Sequence, residues 1–522
     1  MFDLLLKNGV IIDGVGTPRH LGDVAIKNGY IEKVEVVEKA VETIDISDLA
    51  VAPGFIDTHS HSDLFLIHEP ASLPKIMQGI TTEIIGQDGL GEAPIRREHV
   101  QEWRKYLSGL NGDPPIEWNW SSYGEYLDVL EKRGTAVNVV GLVGHGNLRL
   151  LAMGMEDRRP SDSEVNAMKR MLRECLEAGA IGMSTGLIYA PCVYAETNEL
   201  VDLCEVVAEF SSVFVVHMRD EGDRLLESIE EVLTIGEKSG VHCHINHFKA
   251  SGEKNWGKSK EALELLEEGV NRGIKISYDQ YPYTAGSTFL SSLLPSWVHD
   301  GGVERLLVRL RDSEIRERIR SEYSKGVDSG RNAGWDKVLV TYVESHKNKK
   351  IEGKTLEEIA ELRGQPPVDA LMDIVLEENN MASMANFTMS EEDVKRIMKH
   401  PLGMVCTDGL LLGKPHPRAY GAFPRVLGRY VREKGVLDLE IAVKRMTSYP
   451  CSVFGLEGRG VVKPGYAADL VVFDPVKIID KSTYQDPRLH PEGIVHVIVN
   501  GELVVKHGEY KGGGNGKIIK SI

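Results

Sequence analysis

Gly54-Phe55-Ile56-Asp57-Thr58-His59-Ser60-His61-Ser62-Asp63 closes an apolar stretch and carries two histidines two residues apart. The run at 51–58 is short and apolar as far as Ile56, which suits a buried strand. Residues two apart on an extended chain point to the same side, so both imidazoles can reach one metal ion. Two histidines at this spacing are a weak signal alone. The signal strengthens if other strands close in the same way.

Working outward, further apolar runs lie at 82–86, 137–144, 180–185, 213–217, 242–248, 275–280 and 403–407, which with the first makes eight. Amphipathic stretches separate them. One opens at Ser161 with Glu164 three residues on, a capping-box pattern, and runs through Met168, Met171, Leu172 and Cys175. Another carries Leu226, Ile229, Val232, Leu233 and Gly236 on one face and stops at Gly240. Apolar strands alternating with helices predict an α/β fold with a parallel sheet, in the form of a TIM-like (β/α)8 barrel. About 120 residues separate the last two strands, too many for one crossover helix, so an insertion is expected around 285–400. The Ser-, Leu- and Gly-rich run 286–295 reads as a mobile entrance.

Reactive groups of a barrel sit where its strands end. The second strand ends on Gln87-Asp88-Gly89, the third on His145, the fifth on His217, the sixth on His247 with Lys249 two further on, and the eighth on Asp408. Each has a dull alternative. His145, between glycines, can simply bond a loop. His242 and His244, inside a run, read as packing residues, and His416 and His490 as loop residues. Asp408 can cap a helix. Taken as a set, His59, His61, His217, His247 and Asp408 converge on one barrel mouth, and histidine with carboxylate is a zinc ligand set. The expected cofactor is Zn2+, one or two ions, with another divalent metal as the alternative. Zinc polarises a carbonyl and lowers the pKa of water to roughly 7. Asp408 is suited to take a proton from that water and pass it to a leaving nitrogen, and it can also be a weak metal ligand.

The first fifty residues alternate short apolar runs with Asn8-Gly9, Asp13-Gly14 and Asn28-Gly29, dipeptides that favour tight turns. The far end repeats the pattern around Asn500-Gly501. The two ends are expected to pair into one small β-sandwich domain, 1–53 with 456–522, leaving 54–455 as the barrel. The 522 residues carry a net charge of −17, which repels phosphate backbones and argues against nucleic acid. Six cysteines without a CxxC pair suggest buried thiols in a reducing compartment. No run reaches the 18 or so apolar residues of a membrane span, and MFDLLLKNGV lacks a basic leader region, so a cytoplasmic protein without a membrane partner is expected. The sequence leaves the oligomeric state open.

The segment 54–61 resembles the first-strand signature of the amidohydrolase superfamily. DLLLKNGVIIDG at the N-terminus and GYAADLVVFD at 465–474 resemble the paired strands of its small β domain. More specific blocks are similar to N-acyl-D-amino-acid deacylases, also called D-aminoacylases: LVGHGNLR (142–149), GMSTGLIYAP (182–191), HMRDEGDRLLESI (217–229), INHFKASG with NWGK (245–258), YPYTAGST (281–288) and HPRAYGAFPRVLGRYV (416–431). This resemblance covers nearly the whole chain. It implies that His217 and His247 hold the tight zinc, that His59 and His61 hold a weaker position, and that Asp408 is the acid/base. It implies that Lys249, Arg418 and Tyr281 hold the α-carboxylate of an N-acyl amino acid substrate, with Ser287 helping, and that Tyr189 lies near the scissile acyl group. A lysine point charge and an arginine fork suit a carboxylate, although Arg418 also reads as a surface residue. One position departs from the family, which has Cys in an Asn-Cys-Gly turn after the second strand. Asp88 here can ligate or bridge zinc through oxygen, a harder ligand than thiolate, or it can be a turn residue.

The expected activity is zinc-dependent hydrolysis of an N-acyl-D-amino acid to a carboxylate and a free D-amino acid. Alternatives are a cyclic amide or ureide hydrolase, a dipeptidase acting on D-residues, or a catalytically dead scaffold. The zinc-deaminase pattern wants a glutamate shortly after the sixth-strand histidine, where Phe248-Lys249-Ala250 offers none.

Overall fold

The computed structural model describes residues 1–37, 39–326 and 334–521. The expected stretches 1–53, 285–400 and 456–522 include positions 38, 327–333 and 522, which lie outside the described residues.

Both chain ends meet in one nine-stranded sheet. Phe2–Ile11 pairs with His20–Lys27, Ala40–Asp45 and Ala50–Pro53. Ala50–Pro53 then pairs antiparallel with Leu470–Phe473, and the hairpin Ile494–Val499/Glu502–Lys506 continues the sheet. Asn28-Gly29 and Asn500-Gly501 all have positive φ, the requirement of the tight turns expected there. Leu4, Leu6, Val24, Ile26, Leu470, Val472 and Ile498 bury one face together.

The expected strand 51–58 divides. Ala50–Pro53 belongs to the terminal sheet and Phe55–Asp57 to a parallel one. Gly54 makes the crossing possible: a Cβ there would lie 2.2 Å from Thr81 Oγ1. From this point the chain runs in parallel strands. Phe55–Asp57, Ile80–Ile85 and Asn138–Gly141 form one sheet; Val143–Gly144, Gly182–Gly186, Val213–His217, His242–Ile245, Ile276–Gln280 and Gly403–Val405 form the other. The expected third strand, 137–144, is therefore two pieces interrupted at Leu142. Leu142 N donates to Ile85 O, and Ile181 N to Gly141 O, both at 3.0 Å. At the other flank Ser60 and Gly409 form a parallel bridge, and Asp408 N donates to His59 O at 2.9 Å.

Helices connect the strands, among them Asp162–Glu177, Thr197–Glu209, Leu225–Ser239 and Ser259–Asn271. Ser161 and Glu164 form the expected capping box, and Gly240 closes Leu225–Ser239 in the left-handed conformation. Between the seventh and eighth strands stands a subdomain with its own core. Its antiparallel strands are Gly286–Phe289, Ala382–Asn386 and Val338–Val343, and Leu290, Leu306, Val340 and Leu371 pack beneath them. The run 286–295, expected as a mobile entrance, is a strand registered Gly286↔Asn386 followed by a turn whose Leu290, Leu293 and Leu294 are buried, and its Ser287, Thr288 and Ser292 line a cleft. Those leucines supply the subdomain core. Among the described residues no helix is long and apolar enough to cross a membrane, and all six cysteines are free and buried.

Candidate metal centre

Four imidazoles surround Asp88. Its Oδ1 lies 3.8 Å from His59 Nε2, His217 Nδ1 and His247 Nε2, and its Oδ2 lies 3.6 Å from His61 Nε2. Asp408 Oδ1 closes the group from the opposite strand, 3.3 Å from His61 Nε2 and 3.6 Å from His59 Nε2. All six side chains are buried. These spacings are too long for good hydrogen bonds. Two ligand atoms each about 2.0–2.2 Å from one tetrahedral ion lie about 3.3–3.6 Å apart; the His61–Asp88, His61–Asp408 and His59–Asp408 spacings fall in that range, and the 3.8 Å spacings around Asp88 Oδ1 lie just outside it. Two ligand groups emerge, His59–Asp88–His247 and His59–His61–Asp408. Both ring nitrogens of His217 and Nδ1 of His59 lack a hydrogen-bond partner. Buried polar atoms without partners are rare, and a metal supplies the missing interaction.

The local backbone is unusual here. Asp88, His247 and Asp408 have φ of +58°, +35° and +48°. Left-handed conformations at non-glycine residues cost free energy and gather at functional sites. Each is held by neighbours: His247 N donates to Asp279 Oδ1 at 2.5 Å, Asp88 Oδ1 accepts from Asn246 Nδ2 at 3.3 Å, and Asp408 N donates to His59 O at 2.9 Å.

Glu221 is the residue that strand-end reading missed. It lies in the loop after the fifth strand, four residues beyond His217, and only that spacing hinted at it. Its Oε1 is 3.0 Å from His247 Nδ1 and accepts from Lys249 Nζ at 2.5 Å. Lys249 Nζ also stands 2.7 Å from His247 Nδ1. A metal at Nε2 requires the Nδ1–H tautomer, which Glu221 accepts from and Lys249 cannot. A third candidate group, His217–Glu221–His247, shares these atoms.

The expected substrate residues divide. Lys249, Tyr281, Ser287 and Tyr189 line a cleft that opens onto His61, Asp88, His217, His247 and Asp408. Arg418 does not line it. Its fully buried guanidinium sits behind Asp408, with Nη1 2.8 Å from Oδ2, over the ring of Tyr281, and donates to Ser287 O at 2.8 Å. The surface reading of Arg418 is thereby wrong. Tyr189 OH pairs with Thr288 Oγ1 at 2.9 Å, its ring edge-on to His217, and Ser287 Oγ donates to Met384 O.

Of the other histidines, His145 stays out of the centre and pairs with Glu199 and Thr185, each at 2.9 Å. His244 is more than packing: it bonds Ser277 and Asp279, the carboxylate that holds His247. His416, expected on a loop, is fully buried; it bonds Tyr484 OH and accepts from Arg418 N, so it seats the arginine. His490 is exposed on a loop.

Burial disfavours the charged imidazole and lowers His59 to about 3 and His217 to about 4, despite the nearby carboxylates. Burial and Lys249 act the same way on His247, but Glu221 and Asp88 outweigh them and raise it to about 9. Burial opposes ionisation of Asp408, yet Arg418 and His59 hold its carboxyl well below the usual range.

The family model described as "Amidohydrolase family" matches residues 42–505. The D-aminoacylase of Alcaligenes xylosoxydans xylosoxydans is 35% identical over 521 residues, covering 99% of this chain and 97% of that protein. The N-acyl-D-glutamate deacylase of the same organism is 36% identical, covering 96% and 93%. Among solved structures, N-acyl-D-glutamate deacylase from Bordetella bronchiseptica, complexed with zinc and a phosphonate mimic of the tetrahedral intermediate, is 35% identical with a TM-score of 0.86, covering 99% of both chains. On the strength of a match that runs nearly end to end, the chain belongs to the amidohydrolase family.

Proposed function

We propose that this protein hydrolyses the amide bond of N-acyl-D-amino acids with zinc, releasing a carboxylate and a free D-amino acid. One observation carries the reading: four imidazoles and two carboxylates meet at metal-sharing distances on the floor of a cleft lined by Lys249. The zinc- and phosphonate-bound relative and the two deacylases support the metal, the linear amide and the D-configuration.

His217, His247 and Asp88 hold the principal ion in this reading. His59 and His61, with Asp408, hold a second position. When bound, the metal polarises the scissile carbonyl and lowers the pKa of water to about 7. Asp408 accepts the proton of the attacking water and returns it to the departing nitrogen. Arg418 keeps Asp408 ionised and aimed. Lys249 meets the α-carboxylate in the cleft, with Tyr281 beneath it and Ser287 beside it, and Tyr189 covers the acyl group. Two cations against one substrate carboxylate was the sequence expectation; the position of Arg418 behind Asp408 supports Lys249 as the direct contact.

The two parallel sheets read as one closed (β/α)8 barrel, supported by the Ser60–Gly409 bridge and the Leu142 and Ile181 hydrogen bonds. Residues 1–53 and 456–522 read as a small sandwich domain, 54–455 as the barrel with its insertion. Six unpaired buried thiols support a cytoplasmic setting.

The test is a side-by-side kinetic comparison of N-acetyl-D-amino acids, their L-enantiomers and hydantoins with zinc-loaded protein. Turnover of the D-substrates is expected. Turnover of hydantoins alone, or of nothing, overturns the proposal.

A further inference from the structure

Beneath the paired histidines lies a charge cluster that takes no part in the chemistry just described. Lys75, on the short helix Leu73–Ile76, is fully buried, as are Asp57, Ser60, Glu83 and Thr407 around it. An ammonium group has three donors. Here they reach Asp57 Oδ2 at 2.6 Å, Ser60 Oγ at 2.7 Å and Thr407 Oγ1 at 2.9 Å, with Glu83 Oε2 3.3 Å away. Asp57 accepts in turn from Thr407 N at 2.8 Å and Thr407 Oγ1 at 2.6 Å. Ser60 donates to Glu83 at 2.5 Å.

The positions of the three acceptors matter more than their number. Asp57 stands two residues before His59, Ser60 lies between His59 and His61, and Thr407 precedes Asp408. The cluster thus ties the first strand to the eighth directly under one half of the metal centre. None of these hydrogen bonds reaches the strands that carry His217 and His247. A buried ion cluster is a poor device for stability alone, since well-packed apolar residues often do as well or better. It does impose one geometry, because each donor must face its acceptor. Asp408 needs such a constraint: its φ of +48° is maintained by neighbours, and its own N–H is spent on His59 O.

We propose that Lys75 is a positioning residue: its ammonium locks His59 and His61 to Asp408, setting the spacing across which metal and acid/base work together. The inference rests on the hydrolytic reading above for its kinetic part, and on the ligand geometry alone for its metal part.

The experiment is Lys75→Met, with zinc affinity measured by competition against a chelator and kcat and KM measured separately. Displaced supports of metal ligands typically cost 10–100-fold in affinity or activity. The expected result is a fall of that size in zinc affinity and in kcat, with KM nearly unchanged. A role as structural glue predicts a lower melting temperature alone. A folded Lys75→Met protein with wild-type zinc affinity and kcat overturns the proposal. Should that variant not fold, Ser60→Ala and Thr407→Val each remove one acceptor and are read in the same two ways; wild-type values in both overturn it equally. Failure of the hydrolytic reading is distinguishable, because wild-type protein would then turn over no N-acyl-D-amino acid while the zinc affinities still report on Lys75.

Discussion

Asp408 shows how much one residue carries. Its Oδ1 faces the first-strand histidines, its Oδ2 the Arg418 guanidinium, and its backbone occupies a conformation that aspartate tolerates better than most residues. Asp408→Asn keeps the shape and removes the carboxylate that the proposed mechanism uses as proton acceptor. The variant is expected to retain bound zinc while kcat falls by about 10²–10⁴-fold, the usual worth of a general acid/base; metal analysis and steady-state kinetics on one preparation check both halves. Glu221 acts one bond further out. Glu221→Gln leaves the hydrogen bond weaker and uncharged, so zinc affinity should drop about 10–100-fold, read by chelator competition. An unchanged affinity would show that another group sets the His247 tautomer. His59, His61, His217 and His247 were legible from sequence because each lies at or just beyond the end of a strand, and strand ends share one rim. Glu221 was not, because it lies in a loop whose path no periodicity describes.

Elements that appear incidental in sequence bind the structure together. Residues 516–521 lie along the third strand: Gly516 N donates to Thr135 O, Val139 N to Lys517 O, Ile519 N to Val139 O and Ser521 N to Gly179 O. A Cβ at Gly516 would stand 1.9 Å from Val137 O, so the strap fits only without a side chain. Gly516→Ala should lower the melting temperature by several degrees and leave kcat unchanged, since the strap touches no residue of the centre. The helices His145–Met153 and Thr197–Glu209 are joined by His145 and Arg149 on Glu199, at 2.9 Å and 2.5 Å. Burial opposes the proton on His145, but Cys192 and Glu199 prevail and lift it to about 9. A folded pKa raised above 6.5 contributes stability that is complete below about pH 6.5 and is lost as pH rises through about 9. The melting temperature should therefore fall between pH 7 and 9.5, and fall less in His145→Gln; equal slopes would assign the ionisation elsewhere.

At the scale of the whole molecule, the insertion and the parallel strands share the cleft. Leu110, Ile188, Leu293 and Met384 form an apolar wall; Leu293 and Met384, with Ser287, Thr288 and Ser292, come from the insertion. The cations among the described lining residues are Lys249 and Arg219. Arg219 is engaged twice by Glu231 and by the carbonyls of Val193 and Ala195. An acidic substrate side chain thus meets no unengaged cation, and Asp220 and Glu221 repel it. N-acetyl-D-leucine and N-acetyl-D-methionine should exceed the D-glutamate and D-aspartate derivatives in kcat/KM by about 10–100-fold, corresponding to about 1–3 kcal/mol. Comparable values would place an acidic subsite in this cleft.

Strand–helix alternation, the turn dipeptides and the ligand types were determined by the sequence itself, because period, turn chemistry and side-chain identity are local properties. Pairing of the two chain ends followed from the same patterns read at both termini. The division of 51–58 at Gly54, the burial of Arg418 behind Asp408, and the meeting of Lys75 with Thr407 across 332 residues were decided by the tertiary structure. A buried charge adopts the partner that packing brings to it, and no spacing along the chain records which partner that is.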